Sequence, residues 1–155
     1  MSVFNDRAEL LADRLRSVVG LESFSWVVDR DADLKSEFEK ATKKKLGLGV
    51  IRWMGGANPD PNSSRLAITS GFNITLFLKP ILRRGKPPGD DLMELTARAV
   101  HHWFPAETPT KLRYRFEVLS TAPIPPPPEE PHLQVFQIVA QSVTQFSSAI
   151  IQTTP

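Results

Sequence analysis

Between Leu66 and Lys79 every even-numbered residue except Ser70 is apolar: Leu66, Ile68, Phe72, Ile74, Leu76 and Leu78. The odd positions, Ala67, Thr69, Gly71, Asn73, Thr75, Phe77 and Lys79, are mostly small or polar. A period of two sends successive side chains to opposite faces of a strand, so this stretch predicts one long strand buried on a single face. Such a strand needs a hydrogen-bonding partner and a layer over its apolar face, and the rest of the chain must provide both.

Ahead of it, Asn5 or Asp6 can cap a helix whose apolar face is Ala8, Leu11, Leu15 and Val18, widened by Leu10 and Val19. Arg7, Glu9, Asp13, Arg14 and Arg16 take the other side, and Gly20 is placed to end the helix. Phe24–Val28 reads as a short strand. From Asp33 to Lys45 a weaker helical pattern carries Leu34, Phe38 and Ala41, with acids early and lysines late as the helix dipole favours. Its low apolar content makes 31–46 a lateral excursion. Leu48–Met54 reads as a strand, antiparallel to the long one across the loop Ala57–Ser64.

After the long strand comes Arg83-Arg84-Gly85-Lys86-Pro87-Pro88-Gly89, then a helix over 90–104 capped by Asp90. Its face of Leu92, Leu95, Ala99 and Trp103, extended by Met93, Ala97, Val100 and Phe104, suits a helix laid across a sheet. Leu112, Tyr114, Phe116 and Val118 alternate with charged residues as a one-sided strand. Pro123–Pro131 reads as a stiff extended connector containing four consecutive prolines. The segment 132–146 reads as β structure with apolar residues in both registers, which predicts a bulge or two contacting faces. The whole predicts an α+β fold, an antiparallel or mixed β-sheet of about four to five strands with two main helices packed on one face, in a single domain over 1–155.

Composition narrows the function classes. The 155 residues have a net charge of +2, too small to argue for nucleic-acid binding by bulk electrostatics. There is no cysteine, which excludes disulfides and thiolate metal sites. No apolar run approaches the roughly 18 residues of a membrane span, and the N-terminus lacks a signal-peptide apolar core, so export is not indicated.

Catalytic constellations fail residue by residue. His101 and His102 are adjacent, hence about 100° apart on a helix, with no third ligand at metal spacing. Asp29, Asp31 and Asp33 begin like a calcium loop, but the positions requiring glycine and glutamate hold Leu34 and Lys40. The basic loop at 83–89 lacks a phosphate-binding pattern, and the aspartates opening the next helix would repel an anion. Gly47, Gly49, Gly55 and Gly56 form no dinucleotide motif, and the serines and threonines of 142–154 have no His/Asp context. No cofactor, metal or catalytic residue is expected.

One resemblance is spread along most of the chain. The capped N-terminal helix ending near Gly20, the run ITLFLKPILRRG, the helix DDLMELTARAVHHWFP and the final pair RYRFEVLSTAPIP and HLQVFQIVAQSVTQF are similar to tail terminator and minor-tail proteins of tailed bacteriophages. The resemblance implies a structural, non-enzymatic virion protein of the tail or neck, assembled in the host cytoplasm. It would form a ring, usually of six copies, on the last tail-tube ring, stop tube polymerisation and face the head. The implied partners are further copies of itself, the tail-tube protein, a head–tail connector or stopper protein and the tail sheath. Genomic DNA would pass the lumen without specific binding, and no membrane is involved. A head–tail stopper or baseplate component, or a monomeric cytoplasmic adaptor domain, are the alternatives. Long strands offer edges for β-augmentation. Two stiff segments are expected as contact arms: Arg83, Arg84 and Lys86 in one, and Pro125, Pro126, Pro127 and Pro128 in the other.

Overall fold

The computed structural model describes residues 3–29, 34–44, 47–79, 89–105 and 114–146. In chain order the elements are α1 (Val3–Arg16), β1 (Phe24–Val28), α2 (Leu34–Lys44), β2 (Gly47–Ala57), β3 (Ala67–Leu78), α3 (Gly89–Val100), β4 (Phe116–Ile124) and β5 (Gln134–Gln145). The strands form one mixed sheet in the order β1-β2-β3-β5-β4, an α+β fold as the sequence predicts. The alternating stretch is its central strand. β3 pairs antiparallel with β2 on one side and with β5 on the other, over twelve residues from Ala67↔Gln145 to Leu78↔Gln134. Both of its edges are therefore taken, and its even residues Phe72, Ile74, Leu76 and Leu78 are fully buried.

The topology dictates which face each helix covers. β1 and β2 are parallel neighbours joined through α2, and β3 and β4 run parallel across β5, joined through α3. Both crossovers move the same way along the strand order, yet they start from strands of opposite direction. Crossovers of one hand must then lie on opposite faces of the sheet, and right-handed crossovers are the rule. α2 and α3 do lie on opposite faces. α1 and α3 cover the first face, where Ala8, Leu11, Ala12 and Leu15 of α1 and Leu92, Ala99 and Val100 of α3 join Phe24, Trp26, Ile51, Phe72, Ile74, Leu76, Ile138 and Ala140 in the main core. Each fully buried large apolar side chain there contributes about 1.5–3 kcal/mol before conformational entropy is subtracted. Trp26 fits because its register partner Gly49 has no side chain, and a Cβ there would collide with the indole ring.

Segment 31–46 is not a lateral excursion where it is described. Leu34, Phe38 and Ala41 of α2 pack with Val27, Leu48, Val50 and Phe77 on the second face. Three apolar positions suffice because the helix covers only one end of the sheet. Phe77, an odd residue of β3, meets Phe38 edge-on at 6.3 Å between ring centres.

Other boundaries differ from the sequence expectation. α1 already contains Val3, so Asn5 and Asp6 lie inside it and do not cap it. It ends at Arg16, and successive turns carry the chain to Gly20 at φ 99°, which leaves Val19 87% exposed. Arg7 is buried, with its guanidinium donating to the Ser142 hydroxyl at 3.0 Å. α3 stops at Val100, and Trp103 and Phe104 follow a turn in which His102 has φ 61°. Phe116–Ile124 is the strand, so Pro123 and Ile124 belong to β4 and not to the connector, while Leu112 and Lys111 lie outside the described residues. β5 is regular along its whole pairing with β3, and the bulge sits in its partner β4, between Val118 and Ser120. The two-face expectation for β5 holds: Ile138, Ala140, Ser142 and Thr144 bury on the first face, whereas Val135 buries on the second.

Candidate assembly interface

Of the two expected contact arms, Arg83, Arg84 and Lys86 lie outside the described residues. The other, Pro125–Pro128, leaves β4 and turns back over the sheet; it is not one extended rod. Glu130 N–H donates to Pro127 C=O at 3.0 Å and Leu133 N–H to Glu130 C=O at 3.2 Å, which brings Leu133 down to a buried position on the second face. Pro126 and Pro127 are half-buried, Pro125 and Pro128 exposed. The sequence missed this return because a run of prolines says nothing about the single leucine that anchors its far end.

Pro127 and Leu133 form one wall of a groove of about 500 Å³ whose floor is Leu48, Val50 and Phe77 and whose other wall is Leu34 and Phe38 of α2. Its rim is charged, with Lys35, Glu39, Lys79, Glu129 and Glu130. The Lys79 ammonium lies 5.8 Å from the centre of the Phe38 ring, within cation–π range, and Glu130 pairs with His132 at 3.2 Å.

Beyond this groove the second face of the sheet has no covering element among the described residues. Arg52 and Met54 of β2, Gly71 and Asn73 of β3, and Val139, Gln141 and Val143 of β5 occupy it, as the period of two dictates from Phe77 and Val135. Met54 is 53% exposed. Charge is sparse on this surface and internally matched: Arg52 pairs with Asp29, and Glu117 accepts a hydrogen bond from Arg115 at 3.1 Å. That bond holds the Glu117 carboxyl below its ordinary range. No lysine occupies these positions.

The sheet edges are less open than the sequence implies, because the two longest antiparallel partners, β3 and β5, are both interior. On the β4 side, Phe116 N–H donates to Trp103 C=O at 3.0 Å, and Phe116 C=O accepts from His102 N–H at 2.7 Å. Val118 N–H donates to His101 Nδ1 at 3.0 Å. The bulge at Leu119 and the missing N–H of Pro123 blunt the remainder. On the β1 side, Arg16 donates to Trp26 C=O at 2.6 Å and Phe24 N–H to Leu21 C=O at 3.1 Å. The expectation of long uncapped strand edges is therefore corrected.

The remaining candidates that are described make contacts within the fold. Asp29 is engaged by Arg52, and Asp31 and Asp33 lie outside the described residues. Gly55, at φ 91°, sits in the β2 bulge opposite β3. Ser142 is buried and donates to Tyr114 C=O at 2.9 Å; residues 147–154 lie outside the described residues. No group of three His, Asp or Glu side chains able to hold a metal occurs among the described residues. No described helix is long and apolar enough to cross a membrane. Neither a family model nor a curated protein sequence matches the chain.

Proposed function

We propose that this chain is a structural subunit of a phage tail, one that closes into a homo-oligomeric, six-membered ring, ends tail-tube polymerisation and joins the tail to the head connector. The reading rests on the sequence resemblance. The observation that best supports it is the second face of β2, β3 and β5 beyond α2, which no element covers among the described residues and where Met54 is exposed. An exposed apolar side chain beside half-buried valines on an otherwise open sheet face suits a protein–protein contact. With both edges blunted, subunits in this reading meet through that surface and not by strand addition. Partners are a second copy of the chain, the tail-tube ring below and the connector or stopper above, with sheath outside and DNA passing the lumen.

The test is native mass spectrometry and negative-stain imaging of the purified chain, alone and after addition of polymerised tail tube. Rings are expected for the parent, and loss of rings for Val143→Arg and Met54→Arg at unchanged melting temperature. A chain that stays monomeric in both settings ends this proposal. The groove beside α2 favours the second reading, a monomeric adaptor that takes a ligand, since about 500 Å³ with an apolar floor is the size of small-molecule sites. A monomer that binds a ligand displaced by Phe38→Trp would select it.

A further inference from the structure

The turn after α3 does more than end a helix. His101 and His102 stack with ring centres 3.9 Å apart. His102 occupies the left-handed region at φ 61°, which disfavours a residue with a Cβ, so the turn depends on its contacts with β4 to persist. Three hydrogen bonds provide them: His102 N–H to Phe116, Phe116 N–H to Trp103, and Val118 N–H to His101 Nδ1. The first two are between backbone groups and do not respond to pH. The third exists only while Nδ1 of His101 carries no proton, because a protonated imidazole has no acceptor.

We propose that the His101–His102 turn is an acid-sensitive latch on the outer edge of β4. A proton on Nδ1 of His101 sets two N–H donors against each other at 3.0 Å and places a cation against the His102 ring. Charged groups of both signs surround the histidine pair. Arg98 of α3 lines the same shallow depression as His101 and Val118, and Arg115 approaches His102 from the strand side. Glu117 faces the pair with opposite charge but is already bound to Arg115, and Glu94 lies 3.8 Å from Arg98. Loss of solvation, Arg115 and His101 together hold the His102 imidazole below its ordinary value. Protonation thus breaks the His101–Val118 bond while the two backbone bonds hold the turn in place, and Val118 offers a free backbone donor on an edge that is otherwise closed by the bulge and Pro123.

Residue-resolved amide exchange by NMR on the full chain tests this, with protection factors corrected for intrinsic rates. The parent is expected to lose about fivefold protection at Val118 between about pH 7.5 and about pH 5, the weight of one hydrogen bond. His101→Asn supplies an acceptor that does not titrate, and should hold Val118 protection constant across the same range. His101→Ala should show the low value at both pH values, and His102→Gln should keep the pH response. The latch is refuted if Val118 protection in the parent does not change with pH, or if His101→Asn shows the same fall as the parent.

Discussion

Phe72 lies at the centre of the molecule, fully buried on β3, between Trp53 of β2 and Ala140 of β5 in register. Its ring meets Phe116 edge-on at 5.4 Å, Phe116 stacks on Trp103 at 5.8 Å, and the Arg14 guanidinium lies 5.8 Å from the Trp103 ring. Phe72→Ala therefore removes the first member of a chain that ties β3 to β4 and α1. Truncation uncovers about 100–130 Å² of apolar surface, worth about 3 kcal/mol at about 25 cal/mol per Å². The lost edge-to-face contact adds about 1 kcal/mol. The expected cost is about 4 kcal/mol, inside the range of about 3–5 kcal/mol for such truncations. At a slope of about 2 kcal/mol per molar urea, the unfolding midpoint should fall by about 2 M. Phe72→Leu keeps most of the volume and should cost only about 1–1.5 kcal/mol. A double-mutant cycle of Phe72→Leu with Phe116→Leu should give a coupling of about 0.5–1.5 kcal/mol. An alanine variant that loses less than about 1.5 kcal/mol, or a cycle without coupling, would refute this account of the core.

Gly49→Ala should destabilise by about 1–3 kcal/mol, since its methyl group meets the Trp26 ring, and Trp26→Leu in the same chain should recover part of that loss in urea melts. Acid should weaken the fold in two steps. His102 binds its proton less readily folded than unfolded, so its contribution is present above its ordinary value of 6.5 and is lost as pH falls below it. Glu117 acts likewise below its ordinary 4.5, because Arg115 favours its charged form in the folded state. Melting temperature against pH should show a smaller upper step in His102→Gln, with the His101 contribution remaining, and should lose the lower step in Glu117→Gln; a parent curve flat between pH values of about 7 and 4 contradicts both assignments.

The central strand was legible because alternation is a local property, and so were α1 and α3, whose apolar stripes are wide. The role of α2 was not. Leu34, Phe38 and Ala41 look too few to matter until the crossovers are placed, and placing them requires knowing that β1 and β2 are parallel while β2 and β3 are not. The mixed phase of β5 was visible, but its cause was divided: Val135 turns to the second face, while the bulge belongs to β4, where Leu119 sits in an unremarkable sequence. Burial of Arg7 escaped because its partners, Ser142 and Tyr114, are more than a hundred residues away. The blunted edges escaped for the same reason, since a histidine acceptor for Val118 is a feature of space and not of spacing. The sheet face without a covering element among the described residues was not legible, because it depends on what α2 leaves bare.

Partial coverage by α2 makes substitution tolerance vary along a single strand. At Phe77 the odd side of β3 is roofed by α2, and a polar replacement there would strand itself between two layers. Four residues away, at Asn73 and then Gly71, the same side of the same strand has no roof among the described residues, and both positions are only half-buried, so a wider range of residues that keep the backbone extended can be carried. Sequence drift among free-standing copies would thus be steep at one end of β3 and shallow at the other. A selective pressure that held Gly71, Asn73 and Gln141 fixed would have to come from outside the described residues.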